Sequence, residues 1–197
     1  MQPFWGKYRG RVVENVDPLK LGRLQVMVPA VLGEVATAWA MPCVPYAGQG
    51  VGFFIMPPAG AAVWVEFEGG DPDYPIWAGC FWREGELPIA AELPTMRLIK
   101  TAGSLLQFND LPAEGSLTLQ IGDPAVAIPI SIVANSTGLT ISLAEISLSM
   151  KDTGVRITAA PGALSVSVSG VSVAHGSAMI SAVEPEVSVN EGALSVI

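Results

Sequence analysis

From residue 117 onward the chain runs on a period of two. Leu117-Thr-Leu-Gln-Ile121, Leu139-Thr-Ile-Ser-Leu143, Ile146-Ser-Leu-Ser-Met150, Val155-Arg-Ile157, Leu164-Ser-Val-Ser-Val168 and Val187-Ser-Val189 set aliphatic residues against mostly serine and threonine, and from Leu139 to Leu164 the runs start seven to nine residues apart. Strict alternation puts the aliphatics on one face of a strand and the hydroxyls on the other. A single sheet of such strands cannot bury its apolar face alone, and its edges invite uncontrolled pairing. The strands must therefore wind into a solenoid or wrap with other copies of the chain. A one-chain solenoid uses repeats of about twenty residues or more, whereas here a turn follows nearly every strand. Three chains each giving one strand per coil fit the spacing, which predicts an intertwined homotrimer in the form of a slender rod.

Aromatic residues mark where this region begins. Every Trp, Tyr and Phe lies at or before Phe108, so the last 89 residues have none. The earlier half reads differently, with short β-type runs at Gly10–Val16, Arg23–Val28, Ala38–Val44, Ala62–Phe67 and Pro75–Phe81 separated by Gly/Pro turns. Five such runs predict a small closed barrel. Glu68-Gly-Gly-Asp-Pro-Asp73 supplies the turn residues for a hairpin between the last two. Val63, Val65 and Phe67 face the expected core, leaving Trp64 to look outward. Between the halves, the proline-bracketed residues 83–95 show no alternation and read as a linker. The organisation expected is all-β: a five-stranded barrel over 1–82, a linker over 83–95, and a β-helical spike over 96–197.

Charge narrows the function. The formal net charge is -8, and only Lys151 and Arg156 among the ten basic residues lie beyond residue 101. A polyanion would meet net repulsion, which disfavours nucleic acid and anionic membranes as partners. No basic start precedes an apolar run, and no stretch approaches the ~18 apolar residues of a spanning helix, so neither a cleaved signal nor a membrane span is expected. Two cysteines, Cys43 and Cys80, cannot make a disulfide framework and are expected as buried thiols.

Two blocks carry a family resemblance. Asp17-Pro-Leu-Lys-Leu-Gly-Arg23 with the strand after it, and Gly52 to Gly60 followed by Val63-Trp-Val-Glu-Phe-Glu-Gly-Gly-Asp71 and Pro75 to Gly79, resemble the N-terminal OB-fold of contractile-tail spikes. That group includes phage baseplate assembly protein V, the cell-puncturing spike of T4-like phages and the VgrG proteins of type VI secretion. A third block, Arg97-Leu-Ile-Lys-Thr-Ala-Gly103 with Phe108-Asn-Asp110 and Ser116 to Leu119, is similar to the start of the family's β-helical needle. Ser104 and Ala61 depart from the residues common there, histidine and an acid respectively. The resemblance implies an OB barrel, a trimeric needle, a hub protein as a separate chain, and a PAAR-type tip protein at the needle's end. Where T4-like spikes insert a lysozyme domain, this chain has only its linker.

Candidate sites follow. Trp5, Lys7, Tyr8, Arg9 and Arg11, with Lys20 and Arg23 nearby, form a basic and aromatic cluster read as a hub-docking surface; a nucleic-acid or glycan face on an oligomerising rod is the alternative. Leu194, Val196 and Ile197 form an apolar terminus suited to a tip protein. Glu66, Glu68, Asp71 and Asp73 read as a solvated hairpin and not as a cation site, since their spacing is not that of an EF-hand. Asp123, Glu145, Asp152, Glu184 and Glu186 are too scattered for a glycosidase pair. Some relatives bind iron through a His-x-His pair, which this chain lacks; its lone His175 is a candidate ligand only if a three-fold axis brings three copies together. No catalytic residue, cofactor or resident metal is expected. The reading is a structural spike at the baseplate centre of a virion or injection particle, made in the bacterial cytoplasm, docking on the hub and crossing the target envelope mechanically.

Overall fold

The computed structural model describes residues 3–88, 94–190 and 193–196. Internal contacts divide the chain into two units, Met1–Leu87 and Pro88–Ile197. Among the described residues no helix is long and apolar enough to cross a membrane.

The first unit contains β1 (Tyr8–Glu14), β2 (Gln25–Met27), the short helix α1 (Pro29–Leu32), β3 (Met41–Pro42), β4 (Ala47–Gly48), β5 (Val51–Gly52), β6 (Ala62–Phe67) and β7 (Pro75–Cys80). The five runs expected from the sequence are β1, β2, β3, β6 and β7, which form one sheet in the order β2-β1-β6-β7-β3. Only β3 against β7 is parallel. Leu24 and Ala40 exchange backbone hydrogen bonds of 3.1 and 2.7 Å, tying the chain before β2 to the chain before β3. The sheet is thereby curled back on itself as a five-stranded barrel. Its core holds Val12, Leu24, Val26, Val28, Ala40, Val63, Val65, Phe67 and Trp77. The alternation of Val63, Val65 and Phe67 puts three apolar side chains of β6 inside, as expected. β4 and β5 make a separate two-stranded hairpin.

Two loops explain the residues of the resemblance. Asp17 organises the first: its Oδ1 accepts the Leu19 amide at 3.0 Å and its Oδ2 the amides of Leu21 and Arg23 at 2.8 and 3.2 Å. Arg23 closes the ring with Nη2 on Oδ1 at 2.7 Å and Nε between both oxygens. The side chains are 3% and 15% exposed. These charge-assisted bonds, led by the one from Arg23, hold the Asp17 carboxyl far below the usual carboxylate range. The second loop is Glu68–Gly70, a 3-10 turn whose Gly69 and Gly70 have φ of 61° and 78°. Gly70 also lies under the N-terminal segment: a Cβ there would sit 2.9 Å from Pro3 and 3.1 Å from the Phe4 nitrogen. Its carbonyl accepts the Phe4 amide at 2.8 Å.

Cys43 and Cys80 correct the expectation of buried thiols, for both are free and exposed. They sit at the ends of β3 and β7, where the strands run out past the core, and partial burial still raises the Cys80 thiol's pKa.

The second unit is one twelve-stranded sheet, β8 (Met96–Lys100) through β19 (Leu194–Val196), in strict sequence order. Each pair of neighbours is antiparallel, so strands β9 to β18 have both edges hydrogen-bonded inside the same chain. The long antiparallel sheet fits the β-helical needle expected over 96–197, with each inner strand paired to the strands before and after it in the same chain. The third block of the resemblance lies on β8 (Met96–Lys100), β9 (Ser104–Asn109) and β10 (Ser116–Ile121).

Register turns the alternation into columns. Ile99, Leu106, Leu119, Ile132, Ile141, Leu148, Ile157, Leu164, Val173, Ile180, Val189 and Leu194 stand opposite one another in unbroken succession across all twelve strands. On the other face run Thr140, Ser149, Arg156, Ser165, Ser172, Ser181 and Ser188. Neighbouring hydroxyls bond across strands, with Ser131 to Ser142 at 2.7 Å and Ser165 to Ser172 at 2.8 Å. Gly138, Gly154 and Gly170 open β12, β14 and β16 at intervals of sixteen residues, with φ of 134°, 147° and 137°. A Cβ at each would lie 2.0, 2.2 and 2.4 Å from a carbonyl oxygen of the neighbouring strand, so only glycine serves there.

Candidate docking surfaces

On β1 (Tyr8–Glu14), Tyr8, Gly10 and Val12 turn inward while Arg9 and Arg11 turn outward. The predicted hub-docking residues therefore divide. Tyr8 belongs to the core side: its ring packs against Phe4 at 6.2 Å and Phe67 at 5.7 Å, and its hydroxyl donates to the Trp5 carbonyl at 3.2 Å. Trp5 is exposed. Lys7 is neutralised by Glu66 at 2.5 Å. Arg23 is consumed by Asp17, and its guanidinium lies 5.5 Å from the Trp39 ring.

Arg9 and Arg11 are free of carboxylates among the described residues. The Arg9 guanidinium lies 5.5 Å from the Trp64 ring and 5.1 Å from Phe81, two rings that are themselves 4.7 Å apart. Register explains this, since Arg9 stands opposite Trp64 and Arg11 opposite Ala62. Arg11 otherwise reaches only the Met27 sulfur, at 3.9 Å. Arg83 joins them around a hollow of about 270 Å³ whose remaining lining is Gly10, Met27, Pro29, Ala62 and Phe81. Arg83 lies far from β1 in sequence, at the start of the expected linker, and no sequence signal marks it as belonging here.

A second surface is apolar. Leu21, Gly22, Val44, Tyr46, Phe53, Phe54, Met56 and Trp77 border a hollow of about 260 Å³ beside the β4–β5 hairpin. Trp77 Nε1 donates to the Gly22 carbonyl at 3.0 Å at its edge. Residues 35–65 contain no charged side chain; that absence is the signal that could have located the surface.

On the sheet, the apolar face lies bare in the single chain, with Ile146, Val173 and Ile180 at 50%, 51% and 54% exposed. His175 is on this face. It follows Val171 and Val173 at alternate positions and stands opposite Gly162 and Ala178. From β10 to β18 every other described position of that face is apolar. Of the predicted tip-binding residues, Leu194 is exposed and pairs with Val189, Val196 pairs with Val187, and Ile197 lies outside the described residues. Glu66, Glu68, Asp71 and Asp73 remain on the hairpin, where Asp71 accepts the Asp73 amide at 3.0 Å. Among the described residues no group of three metal-ligating side chains comes together.

A closed five-stranded barrel with one parallel pair, joined in sequence to an antiparallel sheet with one bare aliphatic face, defines an OB-fold protein built for assembly. Residues 8–82 match the family described as the type VI secretion system/phage-baseplate injector OB domain. That match supports a baseplate or spike-type role in general. No curated protein matches the chain.

Proposed function

We propose that three copies of this chain form the central spike of a contractile phage tail or tail-derived injection particle, docking by the barrel on a separate hub protein and crossing the target envelope mechanically when the sheath contracts. The observation that carries this reading is the bare aliphatic face running across twelve strands. A sheet with one uncovered apolar face of that length is not stable alone in water. Three such sheets, turned face to face about a common axis, bury one another's columns and leave the hydroxyl columns outside. The core so formed would be aliphatic throughout, apart from three His175 side chains near the axis. Strands with both edges hydrogen-bonded in their own chain resist shear along the ladder, and the shared core resists separation of the copies. The role is mechanical and involves no catalysis. A PAAR-type protein would cap the apolar end at Leu194 and beyond.

The polymer-binding alternative is less well supported, because two of the cations it needs, Lys7 and Arg23, are already paired with Glu66 and Asp17. The deciding experiment is the native mass of the full chain by light scattering, with an SDS gel run without boiling. A mass three times 20.5 kDa that survives unboiled SDS supports the spike; a monomer overturns it.

A further inference from the structure

We propose that the hollow formed by Arg9, Arg11 and Arg83 is a binding site for an acidic segment of a separate protein, in which a carboxylate side chain is flanked by an apolar one. This rests on the docking role proposed above and gives it a chemistry.

The charge is local. The chain is net -8, and along the outer row of β1 the next cation, Lys7, is already matched by Glu66. Arg9 and Arg11 have no such partner among the described residues, and Arg83 is shared with a single carboxylate, Glu86, at 2.6 Å. Three guanidinium groups against one carboxylate leave the hollow positive on an otherwise acidic protein. The guanidinium fork favours carboxylate over a point charge, because two parallel N–H donors meet its two oxygens. The Arg9 guanidinium also lies against the Trp64 and Phe81 rings, so part of its rotamer freedom is already lost before binding.

The floor is apolar. Met27, Pro29, Ala62 and Phe81 line the space between the arginines, which suits an aliphatic or aromatic side chain beside the carboxylate. A nucleic-acid strand fits poorly, since it needs a basic track along successive phosphates. Here the hollow is short, and Glu86 stands beside one of its cations.

The test uses the full chain and a dye-labelled, end-capped peptide alternating glutamate and phenylalanine, followed by fluorescence anisotropy. Expected is saturable binding that weakens with salt, and falls at least about tenfold when glutamine replaces glutamate or in the double variant R9E/R11E. Arg83→Gln should weaken binding as well, and Lys151→Glu, an equal charge change per site in the second unit, should not. Arg9→Lys with Arg11→Lys should retain only part of the affinity, because the fork is lost while the charge is kept. Circular dichroism of each variant checks that the barrel is intact. No saturable binding at millimolar peptide overturns the proposal, as does an equal loss in Lys151→Glu or tighter binding of a 20-nucleotide oligothymidylate. Light scattering on the same samples separates the two readings. A trimer that ignores the peptide refutes this site alone, whereas a monomer that binds it refutes the spike and supports the site.

Discussion

Replacing Ile157 by glutamate should abolish assembly, while replacing its neighbour Arg156 by glutamate should leave it intact. The two positions are adjacent on β14 (Gly154–Ala159) and point to opposite faces. Ile157 stands between Leu148 and Leu164 in the aliphatic column; Arg156 stands between Ser149 and Ser165 in the hydroxyl column. Ile157 is 42% exposed in the single chain, so packing against other copies can bury only that remainder. With about 1.5–3 kcal/mol for a fully buried isoleucine, the interchain share is about 0.6–1.3 kcal/mol per copy, or about 2–4 kcal/mol for three. The carboxylate adds far more, since several kcal/mol attend each unpaired ion taken out of water and three would meet near one axis. Arg156→Glu changes net charge by two units per chain against one for Ile157→Glu, so a general charge effect would rank the variants the other way. The assay is light scattering of both full-length variants at the same micromolar concentration, with unboiled SDS gels. A full-mass assembly of the Ile157→Glu chain would refute the reasoning, and so would equal disruption by both substitutions.

Further outcomes follow from named contacts. Leu24→Ala, at a fully buried position of the barrel, should destabilise that unit by about 2–5 kcal/mol in chemical denaturation followed by tryptophan fluorescence, a probe confined to residues before 109. The Asp17 carboxyl has a folded pKa below its ordinary value near 3.8, so its contribution is fully present above that value and is lost as pH falls below it. The barrel's thermal midpoint should therefore drop in strong acid, and Asp17→Asn should lower it at neutral pH and flatten that acid dependence. Gly154→Ala should disrupt the sheet at β14, because its Cβ would meet the Val166 carbonyl oxygen; loss of assembly on an unboiled gel checks it. His175→Val should raise the heating temperature needed to dissociate the assembly in SDS, by removing a polar group from an aliphatic face; a lower temperature would show that the imidazole is satisfied there.

Much of this protein is legible in its sequence because its signals are local. Period-two alternation places Leu139, Ile141 and Leu143 on one side of a strand whatever the strand packs against, and Asp17 and Arg23 specify a loop through contacts no more than six residues apart. The order of the twelve strands is of the same kind, since each short turn returns the chain beside the strand it has just left. Other features depend on residues far apart in sequence and needed the tertiary structure. Pairing of β1 with β6 put Arg9 against Trp64 and Lys7 against Glu66, which separated a free cation from a neutralised one within a single basic cluster. The return of the chain after β7 brought Arg83 beside Arg9 and Arg11. The ladder pairs β9 to β18 on both edges inside one chain, and register put His175 among the aliphatics. Alternation determines which residues share a face; only the pairing of distant strands decides which of those residues are neighbours.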